Sequence, residues 1–115
     1  MLASIALKRF DDASAVRFDY TDPFGRAKSG IAVRRNGDYF AFRNLCPHWS
    51  TPLDDGGDDV FDPSTNELVC NTHGARFELT SGECVAGPCI GDSLQAFATE
   101  VDGDRLIIRR GTLGL

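Results

Sequence analysis

The sequence predicts an all-β protein, an antiparallel β-sandwich made of short strands. Twelve glycines and five prolines among 115 residues imply frequent turns. The segments between the turns are short and rich in Val, Ile, Phe and Tyr, which pack well on a pleated surface. No window of the chain shows sustained helical periodicity. The length suits one ordinary domain, so residues 1–115 are expected to fold as a single unit.

The predicted strands of the first part of the chain are separated by recognisable turns. Residues 22–25 (Asp-Pro-Phe-Gly) place Asp, Pro and Gly at their preferred positions in a type I turn. Residues 31–34 (Ile-Ala-Val-Arg) show the alternation expected of a strand. Asn36-Gly37 then predicts a tight hairpin turn, with the return strand over residues 39–42.

The last part of the chain predicts one more hairpin. Phe97, Thr99 and Val101 lie on one face of a strand, because side chains alternate between faces. Asp102-Gly103 predicts the turn, and residues 105–108 (Arg-Leu-Ile-Ile) form the return strand. Residues 92–97 are expected to hold one helical turn at most.

The middle of the chain, from Leu45 to about Pro88, departs from this pattern. It is rich in turns, with turn signals at residues 62–66 and 81–82, and it contains all four cysteines and both histidines. No linker separates it from the flanking strands. We therefore expect an excursion from the sheet that carries the chemistry.

The composition excludes some classes of function. Asp and Glu outnumber Lys and Arg by 17 to 12, for a net charge of −5, whereas a nucleic-acid-binding protein needs a basic face. No apolar run approaches the roughly 20 residues of a membrane span. The N-terminus MLASIALKRF is too soon charged for a signal peptide. We expect a cytoplasmic protein that binds neither nucleic acid nor membrane.

Both histidines of the chain stand beside cysteines. Cys46-Pro47-His48 is followed, after 21 residues, by Cys70-Asn71-Thr72-His73. Coincidence is one interpretation, because cysteine is often a small buried apolar residue. Zinc is another, although its knuckles usually pair Cys with Cys and His with His. The third is a [2Fe–2S] cluster with two histidines in place of two cysteines on one iron.

The motifs around these pairs extend the third interpretation. C-x-H followed by C-x-x-H-G resembles the Rieske iron–sulfur family. Pro52-Leu53 with Gly56 resembles the family's P-L-x-x-G, and residues 73–77 with Ser81-Gly82 resemble its H-G-x-x-F and T/S-G. Gly87-Pro88 resembles the loop that covers the cluster from a third side.

This resemblance implies a fold and a site. The fold would be a Rieske-like antiparallel β-sandwich with an inserted, rubredoxin-like cluster-binding subdomain at about residues 45–88. The cluster ligands would be Cys46 and Cys70 on the inner iron and His48 and His73 on the outer iron.

Where the chain departs from the respiratory members of the family, it resembles the members with a low reduction potential. The respiratory members carry an extra disulfide between the loops, but this chain has no cysteine at Ser50, Thr51 or Thr72. It has Ala75 and Phe77 where those members carry hydroxyl groups. Fewer hydrogen-bond donors lower the reduction potential, so we expect a potential of about −150 mV.

The chain thus resembles the soluble Rieske-type ferredoxins of bacterial oxygenase systems. The resemblance implies electron transfer from a flavin-dependent reductase to a terminal oxygenase, without catalysis by the chain alone. With both histidines committed to the cluster, a 2-His-1-carboxylate iron site is not expected. Two alternatives stay open, namely a small subunit of a larger redox enzyme such as a nitrite reductase, and a zinc-stabilised binding module.

Three further features have simple interpretations. Cys84 and Cys89 are expected to be reduced, partly buried thiols rather than a disulfide, with Cys89 near the cluster. Residues 54–59 (DDGGDD) predict a solvated acidic loop, with steering of a basic partner as the alternative. Trp49 is expected to pack in the core, to shield the cluster or to contact a partner.

Overall fold

A computed structural model of the chain describes residues 2–12, 14–47, 52–54, 60–70, 74–87 and 89–110. They belong to two compact units, one of residues 1–43 and 96–115 and the other of residues 44–95. Among the described residues the one helix is a short 3-10 turn, Leu7–Arg9. Every strand pair that they form is antiparallel. The predicted all-β, antiparallel class is therefore confirmed.

The strands follow one another in chain order with short connections. They are β1 (Ala3–Ala6), β2 (Ser14–Thr21), β3 (Ala27–Arg35), β4 (Asp38–Arg43), β5 (Phe61–Asp62), β6 (Glu67–Val69), β7 (Arg76–Glu78), β8 (Cys84–Ala86), β9 (Ala96–Asp102) and β10 (Arg105–Arg110).

The first unit is a six-stranded sheet with the order β1-β10-β9-β4-β3-β2. The sheet curves far enough for its two edge strands, β1 and β2, to contact one another. Its concave side encloses an apolar core to which every strand contributes. The buried members of this core are Ile5, Phe10, Val16, Phe18, Ala32, Ala41, Phe97, Leu106 and Ile108.

The predicted strand at residues 31–34 lies inside β3, and its burial is less regular than the sequence indicates. Ile31, Ala32 and Val33 are all buried, whereas Arg34 is half-buried. β3 is a central strand, paired with β2 on one side and with β4 on the other, and three consecutive buried residues mean that side chains on both of its faces are shielded from water. A central strand can be covered on both faces, and alternation of polarity is then lost.

The turns predicted at residues 22–25, 36–37, 62–66 and 81–82 are confirmed, some of them shifted by one or two residues. Asn36 and Gly37 have φ values of 54° and 83°, the positive pair that a type I′ hairpin turn requires. Residues 23–25 form a turn in which the Gly25 N–H donates to the Asp22 carbonyl, at 3.0 Å. Residues 63–66 and 79–81 are turns as well.

The structure refines two details near the end of the chain. Asp102 and Arg105 are themselves paired, so the last hairpin turn is Gly103-Asp104, with Gly103 at a φ of 62°. Residues 92–97, expected to hold one helical turn at most, form none. Ser93 forms a β-bridge with Glu83, and the Leu94 N–H donates to the Gly82 carbonyl at 2.8 Å, so this backbone is already satisfied by a neighbouring segment.

The second unit is inserted between two paired strands of the first unit. β4 ends at Arg43 and β9 begins at Ala96, and Phe42 pairs with Ala96. The second unit has its own four-stranded sheet with the order β5-β6-β7-β8. The pairing of β4 with β9 therefore keeps the two chain ends of the insertion close together. The assignment of residues 1–115 to one domain with a subdomain at about 45–88 stays a prediction.

One glycine of the sheet allows an aromatic ring to lie on the backbone. Gly30 in β3 pairs with Phe18 in β2, and a Cβ atom at Gly30 would lie 2.6 Å from Cε1 of the Phe18 ring. The ring also contacts Phe97, with a centroid separation of 6.3 Å. Glycine at this position thus makes room for an aromatic ring of the core.

No helix among the described residues is long and apolar enough to cross a membrane.

Replacing Gly30 with Ala should destabilise the first unit, because the new methyl group displaces the Phe18 ring. The expected loss is about 1–3 kcal/mol in the free energy of unfolding, the usual cost of overpacking a core. Urea unfolding monitored by circular dichroism measures it.

The double variant Gly30→Ala/Phe18→Leu is the control. Leucine is smaller than phenylalanine, so the two substitutions together should cost less than the sum of their separate effects. Strictly additive costs would mean that the ring and the glycine do not interact.

Candidate metal centre

The first cysteine–histidine loop begins directly after β4 and is held by a buried side chain. Asn44 is 4% exposed. Its Oδ1 accepts a hydrogen bond from the Leu53 N–H, at 2.8 Å, and its Nδ2 donates to Asp54 Oδ1, at 2.9 Å. Asn44 thus ties the start of the loop to its end, and Cys46, which is fully buried, lies between them.

The second cysteine–histidine loop connects β6 to β7. The Cys70 N–H donates to the Ala75 carbonyl at 2.9 Å, and the Gly74 N–H donates to the Cys70 carbonyl at 2.8 Å. Gly74 has a φ of 71°, a conformation that glycine adopts without strain. These two bonds close a tight loop at its base. Cys70 is fully buried there, immediately after β6.

A third loop, after β8, contacts both of the others. Gly87 has a φ of 92°, and a Cβ atom there would lie 2.8 Å from the Ala75 Cα. Cys89 Sγ lies 3.5 Å from Cys46 Sγ. The loop therefore touches the second loop through Gly87 and the first loop through Cys89.

An ion-pair network joins the small strands beneath these loops. Arg76 Nη1, in β7, lies 3.1 Å from Asp62 Oδ2 and 3.0 Å from Glu67 Oε1. The pKa of Asp62 is lowered by hydrogen bonds, first from the Ser64 hydroxyl and next from the Arg76 guanidinium. One arginine of the H-G-x-x-F motif thus connects β5, β6 and β7.

The structure describes two of the four predicted ligands, Cys46 and Cys70. The structure buries Cys46 and Cys70 on two loops of the same unit. His48 and His73 lie outside the described residues, as do Trp49, Pro88 and most of the acidic run, residues 55–59. The part of the chain that is described contains no group of three or more His, Cys, Asp or Glu side chains arranged to hold a metal. All four cysteines are described, and none of them forms a disulfide.

The described residues fit the sulfur side of a [2Fe–2S] site. Thiolate sulfur is a preferred ligand of iron, and burial shields it from water. Cys46 and Cys70 are both 0% exposed, and each lies on a loop whose base is closed by hydrogen bonds. The structure thus offers two shielded sulfurs on short, tied loops. The ligand set of Cys46, His48, Cys70 and His73 stays a prediction.

Sequence reasoning did not single out Asn44. It is the one polar residue that the structure buries among those it describes in full, and it spans the first loop. Its position directly after a strand and two residues before Cys46 was a weak signal. Many asparagines occupy such positions in turns, so burial was needed to distinguish it.

Replacing Asn44 with Ala should loosen the first loop. The buried Leu53 N–H would lose its acceptor, which costs about 1–3 kcal/mol. We expect a lower urea midpoint of unfolding and faster loss of bound iron to a chelator. Circular dichroism and iron-release kinetics measure the two effects.

Gln95→Ala is the matched control, because Gln95 is an exposed amide of the same unit. It should leave both measurements unchanged. An Asn44→Ala protein that behaves like Gln95→Ala would show that the first loop does not depend on Asn44.

Comparisons with known proteins agree with this geometry. Apoptosis-inducing factor 3 of Mus musculus is 32% identical over 79 residues, which are 69% of this chain and 12% of that protein. The ferredoxin component of the p-cumate 2,3-dioxygenase system of Pseudomonas putida is 30% identical over 90 residues, 77% of this chain and 70% of that protein. The chain thus spans a small part of the first relative and most of the second.

A solved structure extends the likeness to nearly the whole chain. The ferredoxin of carbazole 1,9a-dioxygenase from Nocardioides aromaticivorans IC177 matches with a TM-score of 0.74 and 26% identity, over 96% of this chain and 95% of that one. The sequence profile of the family described as Rieske [2Fe-2S] domain matches residues 10–102. The chain belongs to the Rieske [2Fe-2S] domain family.

Proposed function

We propose that this chain is a Rieske-type ferredoxin that carries one electron from a flavin-dependent reductase to a terminal oxygenase. The observation that carries the proposal is the pair of fully buried cysteines, Cys46 and Cys70, at the bases of two loops of one unit. Each cysteine begins a Cys-His pair in the sequence. A bound [2Fe–2S] cluster would supply a site that takes up and releases one electron.

The four ligands have separate roles in this proposal. Cys46 and Cys70 would hold the inner iron, because their side chains are withdrawn from solvent. His48 and His73 would hold the outer iron, where an imidazole can reach the surface. As ligands, these two imidazoles would also offer the electron a route toward a docked partner. The two histidines would therefore place the outer iron, and not the inner one, toward the partner.

The extent of each likeness favours a carrier over a catalytic domain. The chain covers 70% of the p-cumate ferredoxin component and 95% of the carbazole 1,9a-dioxygenase ferredoxin. Both of these proteins are ferredoxins of dioxygenase systems by name. Within these 115 residues the two histidines are taken by the cluster, so none is left for a second iron site. The chain would transfer electrons and leave the oxidation of the substrate to the oxygenase.

Charge suits transient association with such partners. The chain has a net charge of −5, and an acidic surface attracts a basic docking face and speeds the encounter. Fast exchange matters for a carrier that must visit two proteins in turn. We also propose that the protein works in the cytoplasm, and that residues 1–115 act as one Rieske domain with its cluster-binding subdomain at about residues 45–88.

A second candidate is a Rieske unit that serves a larger redox protein. The chain matches only 12% of apoptosis-inducing factor 3, so a similar unit does occur as one part of a much longer protein. A nitrite reductase small subunit belongs to the same class. Co-purification with a large flavin or haem subunit would distinguish this candidate from a free carrier.

The purified protein should contain two irons and two acid-labile sulfides. Its EPR spectrum after reduction should show the low average g value of mixed nitrogen and sulfur ligation. Cys46→Ser and His73→Ala should each abolish the cluster, because each removes one ligand. Iron and sulfide analysis with EPR provides the measurement.

The control is Cys84→Ser, which changes a cysteine of the same unit that lies outside the Cys-His pairs. It should keep the cluster. A colourless native protein with one zinc would contradict the cluster, and a His73→Ala protein with an unchanged spectrum would contradict the ligand set.

Electron transfer is tested with purified reductase and oxygenase components of a ring-hydroxylating dioxygenase system. Addition of the chain should raise NADH-dependent turnover of the oxygenase above the rate without it, and added salt should reduce the rate because it screens the acidic surface. His73→Ala should give no increase. The carrier role would be refuted if the reduced chain kept its electron in the presence of the oxidised oxygenase.

A further inference from the structure

The proposed function does not account for a contact between two buried sulfurs of the second unit. Cys46 Sγ and Cys89 Sγ lie 3.5 Å apart, close enough for one thiol to donate a hydrogen bond to the other. Both side chains are 0% exposed, and no disulfide joins them. Cys89 lies outside the C-x-H and C-x-x-H pairs, so the ligand set leaves it without a role.

Coordination would decide which of the two sulfurs donates. Cysteine binds a metal as the thiolate, so Cys46 would have no proton to give. Cys89 is not needed as a ligand and keeps its S–H group. On the basis of the proposed function, we infer that Cys89 donates a hydrogen bond to the Cys46 sulfur and makes the site easier to reduce.

The backbone holds the donor in place. The Asp92 N–H donates to the Cys89 carbonyl at 2.8 Å, and the Cys84 N–H donates to the Asp92 carbonyl at 2.9 Å. On the other side of the loop, Gly87 packs on the Ala75 backbone. Cys89 is therefore attached both to β8 and to the second cysteine–histidine loop. These contacts fix the backbone at Cys89, and its side chain is fully buried with the sulfur 3.5 Å from that of Cys46.

The effect on reduction follows from charge. An added electron increases the negative charge on the sulfur ligands, and a hydrogen bond to a more negative acceptor is stronger. Hydrogen bonds to ligand sulfurs accordingly raise the reduction potential of iron–sulfur sites. The contact is also shielded from water, and electrostatic interactions are stronger in the protein interior than in water. Cys89 stabilises the reduced state more than the oxidised state.

The Cys89 S–H group modifies the low reduction potential that Ala75 and Phe77 predict. Those positions lack the hydroxyl groups of the respiratory members, which indicates a low potential. Cys89 supplies a donor from a different loop. The lost hydrogen bonds are therefore partly replaced, and the potential lies above that of the same site without the thiol.

The test compares Cys89→Ala, Cys89→Ser and Cys84→Ala in the cluster-containing protein. Cys84 is the matched control, because it is a buried cysteine whose Sγ donates to the Ala86 carbonyl, at 3.2 Å, instead of to another sulfur. Cys89→Ala removes the donor and should lower the equilibrium constant for one-electron reduction about threefold to tenfold. That change corresponds to a shift of about 30 to 60 mV, at 59 mV per tenfold change for one electron.

Cys89→Ser keeps a donor in the same place and should restore most of the potential, and Cys84→Ala should leave it unchanged. Spectroelectrochemical titration gives the potential, and iron and sulfide content confirms that each variant is loaded. An unshifted potential in Cys89→Ala would overturn the inference. Loss of iron from both Cys89 variants, but not from Cys84→Ala, would also overturn it, since Cys89 would then be a ligand.

These outcomes are separate from failure of the proposed function. A native protein without iron and labile sulfide contradicts the cluster itself, and the inference falls with it. A native protein that holds the cluster but whose potential is indifferent to Cys89 contradicts the inference alone.

Discussion

The arrangement of the site depends on one loop that contacts two others. Cys89 meets Cys46 of the first cysteine–histidine loop, and Gly87 lies against Ala75 at the base of the second. The two Cys-His pairs are far apart in the sequence, so the third loop contacts segments that are not neighbours in the chain. A side chain at position 87 would force the third loop away from Ala75. Glycine there is a steric requirement of the site.

Hydrogen bonds within each Cys-His loop restrain its backbone, independently of the contacts between loops. Asn44 joins the two ends of the first loop, and main-chain bonds between Cys70 and residues 74–75 close the second. Loops closed in this way lose less conformational freedom when they bind a metal. The pairing of β4 with β9 further restrains the two ends of the insertion. For the proposed carrier role, loops held in this way would move little when an electron is taken up, which would favour fast transfer.

Turn chemistry explains why much of the fold was predictable. Asn36-Gly37 has the positive φ values that its residue types favour, and the other predicted turns formed within one or two residues of their predicted positions. The lack of any helical turn at residues 92–97 also has a physical cause. Ser93 forms a β-bridge with Glu83, and the Leu94 N–H donates to the Gly82 carbonyl. Prediction from local sequence patterns does not detect partners about ten residues away in the chain. The double burial of β3 was missed for a similar reason, because it depends on what covers each face of the sheet.

The sequence by itself determined the fold class, the turns, the family and the four ligand candidates, because turn residues and metal-binding spacings are local properties. His48 and His73 remain assigned by sequence pattern alone. Only the tertiary structure decided that Asn44 spans the first loop and that Cys89 reaches Cys46. Both facts depend on which distant segments come within hydrogen-bonding distance, and that is settled by packing of the whole unit.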